Sequence, residues 1–369
     1  MSDEKENQRY VEYLQRQLVR GDSEDYLDGL KEWFKENRVA ISERYRELES
    51  ESTSRARTLA DAVLIHEDQG DYDFFLSRQI FEPLLAKTLK ICQQSGIAPE
   101  LPVKFANSPG VDPSPTALPS MDEHILFAGP GTFAFCNYWS KIFSTALYEV
   151  GQIPRRKQKN LAVVLQKLRS GQVLIDATHL AVHYAMSRSL LGYGKLDQSE
   201  ELHRVRVMLV NSMEVFIVAH EVGHFVGHEE HPETRGIPPD SDSKQHELEC
   251  DAIGLAVCTA YGVEENNPFA FQLIGPLLFF YALRICEETE SILTGVHSGS
   301  SESHPSTDER IRFILQFLKE VGANKAVHRS VNDALEIAMI IGSQVLQIVR
   351  EVNQSEAVAS ETKHSSVTQ

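Results

Sequence analysis

The chain has 369 residues, 42% apolar and 24% charged, a globular balance that can bury a full core and argues against wholesale disorder. Thirty-six Lys and Arg against 53 Asp and Glu leave a net charge of −17, which repels nucleic acid and anionic lipid, and the one dense basic stretch, Arg155 to Lys159, reads as a solvated turn. Five cysteines (Cys92, Cys136, Cys250, Cys258 and Cys286), odd in number and without CxxC spacing, argue against a disulfide framework; with the polar start Met1–Asn7 they lead us to expect a cytoplasmic protein without a secretory signal.

Residues 1–95 read as an N-terminal helical region. Tyr10, Leu14 and Leu18 fall at helical spacing, as do Tyr26, Leu30, Trp33 and Phe34, and then Phe74, Phe75, Ile80, Phe81, Leu84 and Leu85. Residues 96–120 hold six prolines with Gly96, Gly110 and several serines, and read as a linker or a long extended loop. Beyond it, residues 121–353 form the second predicted domain. Strands are expected at Ile125–Ala128 and Val173–Ile175, and an edge strand for substrate at 123–128 or 172–176. Helices are expected at 137–150, 158–170, 177–191, 200–228, 243–262, 268–288, 307–321 and 330–352. Residues 354–369 are small and polar and read as a disordered tail. The fold class is therefore mainly α (α+β) with a small sheet.

The longest apolar run, Phe269 to Cys286, contains Gln272, Arg284 and the pair Gly275-Pro276. A spanning helix wants about 20 uninterrupted apolar residues, so a buried core helix is expected here, with a membrane-dipping segment as the alternative.

Chemistry concentrates between Val207 and His228. His220 and His224 stand at i, i+4 on one face of an apolar helix, about 6 Å apart along the axis, close enough for both rings to reach one Zn²⁺. Glu221 follows the first histidine and can act on a metal-activated water without being a ligand. A catalytic zinc needs a third protein ligand and an open fourth position. His228 lies about 12 Å along the axis from His220, too far while the helix runs straight. Glu230 or His231 would serve in a metzincin-like arrangement if the helix broke at Gly227. Glu247 lies on the next predicted helix with Asp251 one turn later, so one carboxylate can ligate while the other orients a ligand imidazole. Cys250, three residues after Glu247, reads as a small buried residue, with a redox-sensitive neighbour of the metal as the other reading. Gly223 and Gly227 are expected to admit a close helix or substrate backbone.

His220-Glu221-x-x-His224 followed by Glu247-x-x-x-Asp251 resembles the gluzincin zinc peptidases. Glu247-Leu-Glu-Cys-Asp251-Ala-Ile-Gly254, with Cys250 where Ala is usual, and Ser303-His304-Pro305-Ser306 followed by Glu309-Arg310-Ile311 are similar to the branch containing HtpX and the type I CAAX prenyl proteases. The resemblance spans about residues 200–315. It implies a zincin-like helical core, Zn²⁺ held by His220, His224 and Glu247, Glu221 as general base and acid, Asp251 orienting His220, and His304 beside the substrate. It implies a zinc-dependent metalloendopeptidase acting on protein or peptide substrates. Those relatives are typically membrane-embedded, whereas this chain lacks clear spanning helices. Two other functions fit the sequence: a non-catalytic zinc-stabilised module, whose sign would be a fourth ligand from His228, His246 or Cys250, and N-terminal helices that bind a regulatory partner.

Overall fold

The computed structural model describes residues 2–19, 23–49, 54–66, 70–111, 113–118, 122–194, 196, 198–226, 243–296 and 304–366. His228, Glu230, His231 and Ser303 lie outside the described residues.

The architecture is mainly α with one three-stranded sheet. Helices α1 (Ser2–Leu18), α2 (Ser23–Glu49), α3 (Ser54–Ile65) and α4 (Phe75–Gln94) come first. Leu27 and Phe34 of α2, Val63 of α3, and Tyr72, Phe74 and Phe75 make a small core of their own. Helix α4 turns instead into the main core through Phe81, Leu85, Ile91 and Cys92.

Strands β1 (Val103–Asn107), β2 (Thr116–Leu118) and β3 (His124–Ala128) form the sheet in the order β1-β3-β2. β1 runs parallel to β3, pairing Val103 with His124; β2 runs antiparallel to it, pairing Ala117 with Leu126. β3 is buried at all five positions, as a central strand with both faces covered should be. Its odd-numbered residues Ile125 and Phe127 meet Val11, Leu14 and Leu18 of α1, while Leu126 and Ala128 face the helical core. The proline-rich stretch expected as a linker thus supplies both edge strands. Its prolines do not interrupt the ladder: Pro102 precedes β1 and Pro115 precedes β2. The edge strands are β1 and β2; 124–128, one of the two stretches expected at an edge, is the middle strand.

Helices α5 (Pro130–Gly151), α6 (Arg155–Gln158), α7 (Leu161–Ser170) and α8 (Val173–Ser187) follow. Val173–Ile175, expected as a strand, is the first turn of α8. Gln172 adopts a left-handed φ of 64° that ends the preceding turn, and Val173, Leu174, Ala177, Leu180, Ala181 and Tyr184 then bury one helical face. That period of three to four residues outweighs the β preference of a short Val-Leu-Ile run.

The centre of the molecule is α9 (His203–Val226), apolar on nearly all sides from Leu209 to Phe225. It packs against α4, α5, α10 (Ser243–Glu264), α11 (Pro268–Phe271) and α12 (Ile274–Thr294). The apolar run expected as one buried helix is split into α11 and α12 by Leu273 at φ 58°. Pro276 falls in the first turn of α12, where its missing N–H costs no intrahelical bond. A Cβ on Gly275 would stand 2.0 Å from Ser212 Oγ, so only glycine lets α12 lie this close to α9. Among the described residues no helix is long and apolar enough to cross a membrane. Helix α13 (Thr307–Glu320) and the long α14 (Lys325–Ser366) close the fold. α14 extends past residue 353 because 354–366 contain no Gly or Pro to stop it.

Candidate metal and catalytic centre

The site lies where the buried second half of α9 faces the first turns of α10. The i, i+4 spacing puts His220 and His224 on one side of α9, their ring centroids 5.0 Å apart and their planes nearly perpendicular at 89°. The buried stripe of α10 runs Glu247, Cys250, Asp251, Gly254, Leu255 and Cys258, spaced three and four apart, while Glu249 points outward. What brings the two helices together is Gly223, one residue before His224. A Cβ there would sit 2.9 Å from the Cys250 Cα.

The helix contact aligns the side chains predicted from sequence. Glu247 Oε2 is 3.4 Å from His220 Nε2, and Glu247 Oε1 is 3.7 Å from His224 Nε2. On the far side of the His220 ring, Nδ1–H donates to Asp251 Oδ1 at 2.9 Å. His304, in the turn before α13, has Nε2 3.4 Å from Glu247 Oε1, and its side chain is 60% exposed. Ser306 caps α13 through a full capping box with Glu309, so the cap belongs to the serine and His304 is left facing the site. Glu221 is buried, with a carboxylate oxygen within 4.8 Å of a ring nitrogen of each histidine, and accepts a hydrogen bond from the Ala117 backbone of edge strand β2.

Arg310 sits in the Glu-Arg-Ile motif, and the sequence alone gives it no role. Its Nε donates to Asp251 Oδ2 at 2.8 Å, its Nη2 reaches Asp251 Oδ1, and its Nη1 lies 3.9 Å from Glu247 Oε2. The guanidinium also rests 4.3 Å above the Phe280 ring. His246 is the second residue given no firm part; its Nε2 stands 3.2 Å from His224 Nδ1.

Charge in this pocket is heavily biased. Burial pushes the Glu247 carboxyl up, but the hydrogen bond and charge of His220, with His224 and Arg310, bring it down to about 2. Burial likewise acts against the Asp251 carboxylate, and Arg310 and His220 overcome it. For His220, burial and Arg310 oppose a positive ring; hydrogen bonds to Asp251 and Glu247 prevail and raise it to about 9. Burial raises the Glu221 carboxyl above its ordinary value, against the pull of His220. The centre thus pairs two buried carboxylates, Glu247 and Asp251, with the His220 ring and the Arg310 guanidinium.

The donor set suits a tetrahedral ion. Zinc–nitrogen and zinc–oxygen bonds of about 2.1 Å place neighbouring ligand atoms about 3.4 Å apart, and each Glu247 oxygen lies near that distance from one ring, Oε2 from His220 and Oε1 from His224. His220, Glu221 and His224 also present donor atoms all within 4.8 Å of one another, as do His224, His246 and Cys250.

A family model described as Peptidase U49 matches residues 183–331. The matched stretch runs from α8 into α14 and contains every side chain of the centre just described, though not the Ala117 backbone that meets Glu221. It covers less than half of the chain, and it supports a peptidase family without singling out the HtpX and CAAX prenyl protease branch. No curated protein and no solved structure gives a significant match.

Proposed function

We propose that the protein is a zinc-dependent metalloendopeptidase of cytoplasmic location, in which His220, His224 and Glu247 hold the metal. The observation that carries this reading is the approach of the Glu247 carboxylate from a different helix, one oxygen 3.4 Å from His220 and the other 3.7 Å from His224. A zinc ion bound there would supply Lewis acidity, polarising the scissile carbonyl and making water acidic enough to deprotonate near neutral pH.

The rest is done by the chain's own side chains. Glu221, its carboxyl raised by burial, takes the proton from the attacking water and returns it to the leaving amine. Asp251 fixes the proton of His220 on Nδ1, which leaves Nε2 as the donor turned toward Glu247. Arg310 holds Asp251 ionised and is a positioning residue. His304, exposed at the rim beside Glu247, is positioned to donate a hydrogen bond to the developing oxyanion.

A non-catalytic zinc module would need a fourth ligand from His228, His246 or Cys250. His246 and Cys250 approach Nδ1 of His224, whereas Glu247 approaches its Nε2, which favours the catalytic reading.

Two measurements test it. Glu221→Gln is expected to keep its zinc and to lose hydrolysis of a mixed peptide library by about 10²- to 10⁴-fold, read by mass spectrometry; retained turnover overturns the role of Glu221. Metal analysis of Glu247→Ala against the wild type is expected to show zinc lost from the variant. Equal zinc in the two would turn attention to Glu230 or His231.

A further inference from the structure

The second cluster of donors is built as regularly as the first. His224 Nδ1, His246 Nε2 and Cys250 Sγ form a closed triangle with sides of 3.2, 3.5 and 3.7 Å. A tetrahedral ion with arms of about 2.1 Å to nitrogen and about 2.3 Å to sulfur has edges of about 3.4 Å between nitrogens and about 3.6 Å from nitrogen to sulfur. All three sides of the triangle fall near those values. His246 and Cys250 are i, i+4 on α10, repeating on that helix the spacing of His220 and His224 on α9. Cys250 is 1% exposed, while the His224 side chain, at 19%, leaves a way in.

We propose that His224, His246 and Cys250 form a second metal site, for a soft divalent cation such as zinc or cadmium, and that it shares the His224 ring with the first. The thiolate selects the class of ion: nitrogen and sulfur donors suit zinc and cadmium and exclude magnesium and calcium. As the sulfur–metal bond forms, the thiol proton leaves to solvent.

Sharing one ring has a chemical consequence. A neutral imidazole offers one lone pair. Binding at the first centre uses Nε2 of His224 and needs its proton on Nδ1; binding at the second uses Nδ1 and needs the proton on Nε2. A single neutral ring therefore serves one site at a time, and filling the second withdraws a ligand from the first. The site itself depends only on the triangle; the competition rests on the proposed peptidase centre.

The test is a titration of the metal-free full-length chain with Cd²⁺, followed by the ultraviolet charge-transfer band of a cadmium–thiolate bond. The band is expected in the wild type and in Glu247→Ala, and is expected to vanish in Cys250→Ala. In His246→Gln, which keeps the thiol, cadmium affinity is expected to fall at least tenfold. Absence of the band from the wild type, its survival in Cys250→Ala, its loss in Glu247→Ala, or unchanged affinity in His246→Gln overturns the site. Far-ultraviolet circular dichroism of each variant excludes unfolding as the cause, and should Cys250→Ala not fold, the His246→Gln affinity decides. Failure of the wild type to hydrolyse peptides would leave the cadmium result standing.

Discussion

Asp251 is 1% exposed and ionised, so its hold on His220 depends on a cation that neutralises it in place. Arg310 does this with two guanidinium nitrogens while the ring takes the remaining contact. Arg310→Gln is expected to leave a buried carboxylate short of its partner, lowering stability by about 3–5 kcal/mol. The loosened His220 should also weaken zinc binding by about 10- to 100-fold. Urea unfolding and titration against a chelator read the two effects, and a variant matching the wild type in both would remove Arg310 from the centre. The sequence exposes the pair His220 and His224 because helical spacing is a local property. It exposes Glu247 and Asp251 as a same-face pair for the same reason. Arg310 stays hidden since it lies 90 positions from His220 and reaches it only through packing of α13. The triangle at Cys250 stays hidden because it depends on which way the His224 ring nitrogens point, a rotamer property fixed by the neighbouring helix.

Helices α9 and α10 meet at Gly223, where two opposing effects of a substitution can be weighed. Gly223→Ala would gain about 1 kcal/mol of helix propensity. It would also drive a methyl to 2.9 Å from the Cys250 Cα, a backbone atom that cannot swing aside. Overpacking of this kind costs about 1–3 kcal/mol, so net destabilisation is expected, with α10 and Glu247 displaced from the histidines. A lower urea midpoint together with weaker zinc binding checks this; a more stable variant would mean that the helices separate freely. The close approach agrees with the sequence expectation for Gly223. Other elements were less legible. Val173–Ile175 is β-prone in isolation but helical in context, because its apolar side chains complete a buried face of α8. The strands around Val103 and Thr116 are short, proline-flanked edges whose pairing with β3 is a non-local event that no periodicity of three to five residues reveals.

At the scale of the whole molecule, the net charge of −17 makes the compact state more self-repelling as carboxyls ionise. Buried acids outside the candidate centre sharpen this. Glu214, 2% exposed on α9, is raised to about 8 by burial, with Arg206 pulling the other way and Cys136 and Tyr261 nearby; its Oε1 has no hydrogen-bond partner among the described residues. Glu287 on α12 is raised to about 7, again by burial, against the hydrogen bond from Thr307 and the charge of Arg188. In the unfolded chain such groups titrate near 4.3. Between that value and about 7 to 8 the folded state binds more protons than the unfolded state, so stability must fall as pH rises through the interval. The stabilising protonated forms are fully present below the unfolded value and lost above the folded ones. Each group contributes on the order of a few kcal/mol over its window. Unfolding free energy of the metal-free chain is therefore expected to decline from about pH 5 to pH 8. Glu214→Gln, which keeps the shape of a neutral side chain at every pH, is expected to flatten the upper part of that decline and to raise stability at pH 8. Urea denaturation at a series of pH values decides it: equal slopes for the variant and the wild type would mean that Glu214 is ionised in the fold and that a cation reaches it.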